Sequence, residues 1–83
     1  MERWRIRQGI PYRVMDRDRE LLVGLNDVDA RTDQARLSVH DDGTWVAGFD
    51  LRDGDDCEIA GRRWRVVTVV SGPRPYIELE ESS

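Results

Sequence analysis

The fold is decided by residues 44–80, TWVAGFDLRDGDDCEIAGRRWRVVTVVSGPRPYIELE. Strand-like runs over 44–51, 57–59, 63–70 and 76–80 alternate in this stretch with short turns that carry Gly. Short strands separated by turns at such regular spacing are typical of small antiparallel β proteins. The stretch therefore predicts an all-β fold.

The first half of the chain continues this pattern with weaker runs. Alternating or β-prone residues predict further strands at 4–7, 20–25 and 35–40, and a second short strand at 12–15 stays open. Asp41-Asp42-Gly43 predicts a tight hairpin, because Asp-Gly suits the backbone of a two-residue turn. Asn26–Gln34 offers few apolar side chains and predicts a mobile loop with at most one helical turn. We expect about six to seven antiparallel strands in a small β-barrel or sandwich.

Length and charge limit the classes of function. Eighty-three residues make one domain, residues 1–83, which buries only about 60% of the surface of its unfolded chain and has no room for a deep active site. The net charge of −4 disfavours nucleic acid as a partner, because binding to a phosphate backbone depends on a positive surface. No apolar run approaches the ~18 residues of a membrane span, and the first residues lack the apolar part of a signal peptide. We therefore expect a cytoplasmic protein without a membrane partner, and an export route that needs no signal peptide stays open.

The basic residues and the cysteine indicate little about function. All 13 basic residues are Arg, which indicates either selection for bidentate contacts or the codon bias of a GC-rich genome, and codon bias is the favoured explanation. The single cysteine, Cys57, has no second cysteine for an internal disulfide, so the fold depends on packing.

Three features could carry chemistry, and each has a simpler structural explanation. His40 precedes two carboxylates and could act as a base, but no activated nucleophile is suggested near it. The carboxylates around Gly54 depart from the EF-hand spacing and fit a turn; they are Asp50, Asp53, Asp55, Asp56 and Glu58. Carboxylates on both sides of Cys57 would raise its pKa, whereas a reactive thiol needs a lowered one. The sequence predicts no catalytic residue, no cofactor and no metal site.

The tryptophans and their neighbouring arginines predict two faces of one sheet. Trp4, Trp45 and Trp64 each fall in phase with apolar residues of their own strand, which predicts core positions. The Arg residues beside Trp4 and Trp64 would then lie on the outer face and form a basic stripe if the two strands are neighbours. Carboxylates from Glu78 and Glu80 could equally neutralise that stripe.

The run Val66–Val70 is apolar on both faces. One face belongs in the core, so Val67 and Val69 need cover from a second layer or from an oligomer interface, and the interface is our prediction. Together with the outer arginines, they form the predicted interaction surface: Arg3, Arg5, Arg63, Arg65, Val67 and Val69.

One resemblance covers nearly the whole chain. It is carried by Arg7–Pro11, Phe49–Asp55, Ile59–Gly61 and Trp64–Val66. With these segments the chain resembles a family of short, functionally uncharacterised actinobacterial proteins. The shared motifs are turns and core positions, so the resemblance implies an all-β fold and no functional residues.

These observations predict a non-enzymatic binding or accessory module that acts through protein–protein contacts, in one form as a homodimer. Two alternatives stay open. One is a small-ligand-binding β-barrel whose pocket mouth is lined by aromatic residues. The other is an acidic inhibitor or immunity-type protein that presents its carboxylates to a basic partner surface. An enzyme is the class we expect least.

Overall fold

The computed structural model describes residues 2–82, which form eight β-strands and contain no helix. The strands are β1 (Arg3–Arg7), β2 (Tyr12–Asp16), β3 (Arg19–Asp29), β4 (Gln34–Asp41), β5 (Thr44–Leu51), β6 (Asp56–Ile59), β7 (Arg62–Val70) and β8 (Tyr76–Glu81). They build two four-stranded antiparallel sheets: sheet A in the order β1-β8-β7-β6 and sheet B in the order β2-β3-β4-β5. The all-β prediction is confirmed. The strand number of six to seven was too low, and the sheets are not closed into a barrel.

Inward side chains from both sheets form one buried cluster. At its centre the rings of Trp4 and Trp64 lie 3.6 Å apart between centroids, and Trp64 Nε1 donates a hydrogen bond to the Ile59 carbonyl oxygen at 3.2 Å. Both tryptophans are buried, as predicted. Large aromatic side chains such as these dominate the burial of apolar area in a small core.

Arg62 and Glu2 cover the tryptophan pair. The Arg62 guanidinium lies 4.9 Å from the centre of the Trp64 ring and donates to Glu2 Oε1 at 2.8 Å. Trp4 Nε1 donates to the other oxygen of Glu2 at 2.9 Å. The hydrogen bond from Trp4, followed by the one from Arg62, lowers the pKa of Glu2.

Trp45 is not a core residue, contrary to the prediction. Its side chain is 62% exposed, whereas that of Trp64 is 0% exposed. The cause is a β-bulge: Val39 pairs with Ala47 and His40 pairs with Trp45, so Val46 is an extra residue in β5. A bulge of this kind reverses the alternation of faces, so Trp45 lies on the face opposite to that of Ala47.

A second bulge overturns half of the predicted valine surface. Val66 pairs with Leu79 and Thr68 pairs with Glu78, which leaves Val67 as the extra residue of β7. Beyond it the faces are reversed, and Val69 pairs with buried Ile77 and packs against the core. The prediction that Val67 and Val69 share an outer face is therefore wrong.

Asn26–Gln34 is largely strand rather than a loop. β3 continues to Asp29, with Val28 opposite Ala35 and Asp29 opposite Gln34, and only residues 30–33 form the turn. Val28 packs against the core. Long-range pairing with β4 satisfies the backbone of this polar segment, which local composition does not reveal.

Candidate interaction surface

The predicted Arg stripe lies on the outer face of sheet A, where carboxylates separate its members. Strand β8 lies between β1 and β7, so Glu80 pairs in register with both Arg3 and Arg65. Glu80 accepts a salt bridge from Arg3, and Glu78 accepts one from Arg5 at 2.9 Å. Opposite charges directly across neighbouring strands neutralise one another. The face is therefore a ladder of alternating charge.

The β6 side of the same sheet follows the same rule. Arg65 Nε donates to Asp56 Oδ1 at 3.3 Å, and Arg63 stands opposite Glu58 in the β6–β7 register. Arg65 and Val67 line a shallow depression of about 530 Å³ beside the turn at Asp53. The structure thus brings Arg65 and Val67 together, but it places Val69 on the inner face of the sheet.

The outer face of sheet B has a different composition. One row crosses all four strands of this sheet in register: Arg13, Leu22, His40 and Trp45. Met15 lies at the β2 side of this face and is 60% exposed, while Leu22 is half-buried. Exposed large apolar residues that share a sheet face are typical of contact surfaces in proteins.

The placement of Trp45 depends on a glycine. A Cβ atom at position 48 would lie 3.3 Å from Trp45 Cζ2, so the indole rests on the backbone of Gly48. Aromatic side chains that cover a nearby glycine of a strand in this way shield backbone that has no side chain of its own. The contact holds the indole along the face while most of its surface stays exposed to solvent.

A shallow groove follows Trp45 across the strands. Small residues of three adjacent strands form one row, with Gly24 opposite Ser38 and Ser38 opposite Gly48. Ser38 donates a hydrogen bond from Oγ to Asn26 Oδ1 at 3.2 Å. The groove has a volume of about 240 Å³ and is closed at its far side by the ion pair between Arg36 and Asp50. Its walls thus combine an aromatic ring with polar groups.

His40 and Cys57 do not combine into a reactive centre in the described residues. His40 lies half-buried between Leu22 and Trp45 on the outer face of sheet B. Cys57 is buried on the inner face of sheet A, and burial, assisted by the charge of Asp56, raises the pKa of its thiol to about 11. At neutral pH the Cys57 thiol is therefore protonated.

Of the carboxylates around Gly54, Asp53 and Asp55 lie in a tight turn, whereas Asp50 and Asp56 pair with Arg36 and Arg65. Asp55 Oδ2 accepts a hydrogen bond from the Arg52 backbone N–H at 2.9 Å, and the 53–55 turn is tied to β7 through the Val66 backbone. Within residues 2–82, no three His, Cys, Asp or Glu side chains are arranged to hold a metal ion. Asp53 and Asp55 shape a turn of the kind that Asp favours.

Sequence reasoning missed Trp45, although a signal for its exposure was present. In a two-residue hairpin closed by Asp42-Gly43, Trp45 must stand opposite His40, on the face that Val39 does not share. The structure has this hairpin, with positive φ values of 50° at Asp42 and 81° at Gly43. Counting register from the turn, rather than phase along β5 alone, would have placed Trp45 outside.

No protein-family model and no curated protein matches this chain. The resemblance to a family of short actinobacterial proteins therefore stays a prediction. In the part of the chain that the structure describes, no helix has the length and apolarity of a membrane span.

Proposed function

We propose that this protein is a non-enzymatic binding module that acts through protein–protein contacts, and that the outer face of sheet B contacts the partner. The observation that carries the proposal is the position of Trp45, which is held on the backbone of Gly48 with 62% of its surface exposed. A fixed, exposed indole costs little conformational entropy when a partner covers it.

The surroundings of Trp45 have the composition of an interface. Interface centres are enriched in Trp, Met and Arg, and a few such residues supply most of the binding free energy. Here Trp45 and Met15 are the exposed anchors, with half-buried Leu22 and His40 between their strands. Charged groups at the borders, such as the Arg36–Asp50 ion pair, would form a polar rim.

The proposal relocates the contact surface that we predicted from the sequence. The homodimer prediction depended on Val67 and Val69 lying side by side on an outer face, and Val69 packs against the core. The arginines of the same predicted surface are largely engaged by carboxylates of their own sheet. The outer face of sheet B retains exposed apolar area, and so it is the better candidate.

Affinity capture with matched variants tests the proposal. Wild-type protein and the variants Trp45→Ala and Arg63→Ala are immobilised and exposed to a lysate of the source cells, and captured proteins are quantified by mass spectrometry. We expect Trp45→Ala to lose the specific partner, because removing a central Trp from an interface costs at least about 2 kcal/mol. Arg63→Ala, on the outer face of sheet A, should retain it.

Two results would contradict the proposal. Capture that is equal for wild type and Trp45→Ala would exclude this face, and capture lost only with Arg63→Ala would return the contact to sheet A. Circular dichroism of each variant confirms that loss of capture does not result from unfolding.

A further inference from the structure

The four edge strands of the two sheets differ in how they are protected. Free sheet edges invite pairing with other chains, and proteins protect them with charges, Pro, short length or bulges. β1 has three Arg, β2 has five residues and follows Pro11, and β6 has four residues of which two are acidic. β5 has eight residues, no Pro and a single charge, at Asp50.

The free edge of β5 is also open in the described part of the chain. β5 pairs with β4 alone, and within residues 2–82 no other segment forms a backbone hydrogen bond to it. Its one protective feature is the bulge at Val46, which leaves Ala47–Leu51 as a regular stretch. Backbone donors and acceptors along this edge are available to an added strand.

The core is incompletely covered beneath the same edge. The inward residues of β4, Leu37 and Val39, are buried, whereas Ala47 and Phe49, which face inward from β5, are only half-buried. Next to them, Val46 is 49% exposed. A strand added beside β5 would cover this apolar area with its own alternate side chains.

The charge near this edge indicates the kind of partner. Residues 41–55, which span β5 and the turns at its two ends, contain five of the 17 acidic residues and one of the 13 Arg, a formal charge of −4. The rest of the chain contains twelve acidic residues and twelve Arg, a formal charge of 0. Carboxylates lie at both ends of β5: Asp41 and Asp42 in the preceding hairpin, and Asp53 and Asp55 in the following turn.

Ion pairs offset only part of this charge. Asp41 and Asp50 pair with Arg19 and Arg36, respectively. Within residues 2–82, Asp42, Asp53 and Asp55 have no ion-pair partner. The edge is therefore an apolar strand between two negative ends.

We infer that the free edge of β5 pairs with an extended basic segment of a partner protein, which becomes a fifth strand of sheet B. The inference rests on the proposed function and specifies the chemistry of the partner. Negative ends beside an open edge attract positive side chains, which accelerates association and selects the partner. A second copy of this chain fits less well, because antiparallel pairing of two β5 strands would bring the acidic hairpin of one against the acidic turn of the other.

Designed peptides test the inference. The probe is the nonapeptide Arg-Arg-Val-Thr-Val-Thr-Val-Arg-Arg, titrated into ¹⁵N-labelled full-length protein at low ionic strength. One control peptide has Glu in place of each Arg, and the other has alternate residues N-methylated, which removes backbone donors and preserves the charge. We expect amide shifts concentrated in residues 44–51 with the basic peptide, and no saturable binding with either control.

A pair of charge-matched variants tests the acidic ends. Asp42→Asn/Asp53→Asn removes two carboxylates beside β5, and Asp16→Asn/Asp18→Asn removes two from the β2–β3 hairpin, at the other edge of the same sheet. Since exposed charge pairs contribute little each, the first variant should weaken binding of the basic peptide about fourfold. The second variant should bind like wild type.

Each other outcome overturns the inference. Absence of binding at millimolar peptide, equal binding of the N-methylated peptide, or shifts mapping to sheet A would exclude strand addition at β5. If the amide signals of residues 44–51 change with protein concentration in the absence of peptide, the occupant of this edge is a second copy of the chain. Capture through Trp45 would be unaffected by any of these results, so the proposed function would be judged separately.

Discussion

The outer faces of the two sheets are built from similar strands and present opposite surfaces. On sheet A, Arg and carboxylate side chains alternate across the strands and pair with one another. On sheet B, Trp45 is exposed beside a row of small residues, and Met15 is exposed at the β2 side of the same face. Charges that are already paired within a sheet contribute little to the binding of a partner. Covering exposed apolar area, in contrast, makes binding more favourable. The outer face of sheet B is therefore the better candidate for contact with a partner.

The largest expected difference is between Trp64 in the core and Trp45 on the outer face of sheet B. Trp64→Ala should lower the free energy of unfolding by about 3–5 kcal/mol, because it leaves a cavity against Trp4 in the core. Trp45→Ala should change it by no more than about 0.5 kcal/mol, since the indole is mostly in water. Urea denaturation followed by circular dichroism measures both values.

Equal losses of unfolding free energy in the two tryptophan variants would contradict this prediction. That result would mean that Trp45 is packed against another part of the molecule or against a second copy. A concentration series of the Trp45→Ala and wild-type melting curves separates these two explanations.

The bulge in β7 predicts an intermediate effect. Val69→Thr should lower the free energy of unfolding by about 1–3 kcal/mol, because the new hydroxyl is placed against the core without a hydrogen-bond partner. Val67→Thr, at the extra residue of the bulge, should cost no more than about 0.5 kcal/mol. Denaturant midpoints of the two variants provide the test. A larger loss from Val67→Thr, accompanied by dissociation of a dimer in sedimentation velocity, would restore the valine interface predicted from the sequence.

The charge ladder of sheet A should contribute least. A double-mutant cycle with Arg5→Ala and Glu78→Ala should give a coupling free energy of about 0.2–1 kcal/mol, because both side chains remain in contact with water. Raising the NaCl concentration to 1 M should reduce it further through screening. A coupling above about 2 kcal/mol that persists at high salt would show that this face is a stability element rather than a solvated surface.

Much of the local structure could be predicted because it depends on neighbours in sequence. Period-2 alternation located most of the strands, and the Asp-Gly pair located the β4–β5 hairpin. Trp4 and Trp64 were correctly assigned to the core, since their strands alternate regularly where they stand. The segment 26–34 failed because its strand character comes from pairing with β4 and not from its own polar residues.

The candidate surface could not be predicted in the same way. Bulges at Val46 and Val67 reverse the faces beyond them, and each is defined by a mismatch with the neighbouring strand. The sequence left open whether Glu78 and Glu80 neutralise the Arg stripe; β8 lies between β1 and β7, and this order brings residues more than 70 positions apart side by side. Neither the bulges nor the strand order of sheet A can be inferred from one strand-like segment at a time.

The β alternation, the turns, the Trp4–Trp64 core and the uneven distribution of charge, with −4 in residues 41–55, can all be inferred from the sequence. These properties follow from side-chain chemistry and from the conformational preferences of short segments. The tertiary structure was needed to show that Ala47 lies on the face opposite to Trp45, that Val69 faces the core and that β5 is an open edge. The reason is physical: the face that a strand residue occupies is fixed by its register with another strand, and one extra residue in either strand inverts it.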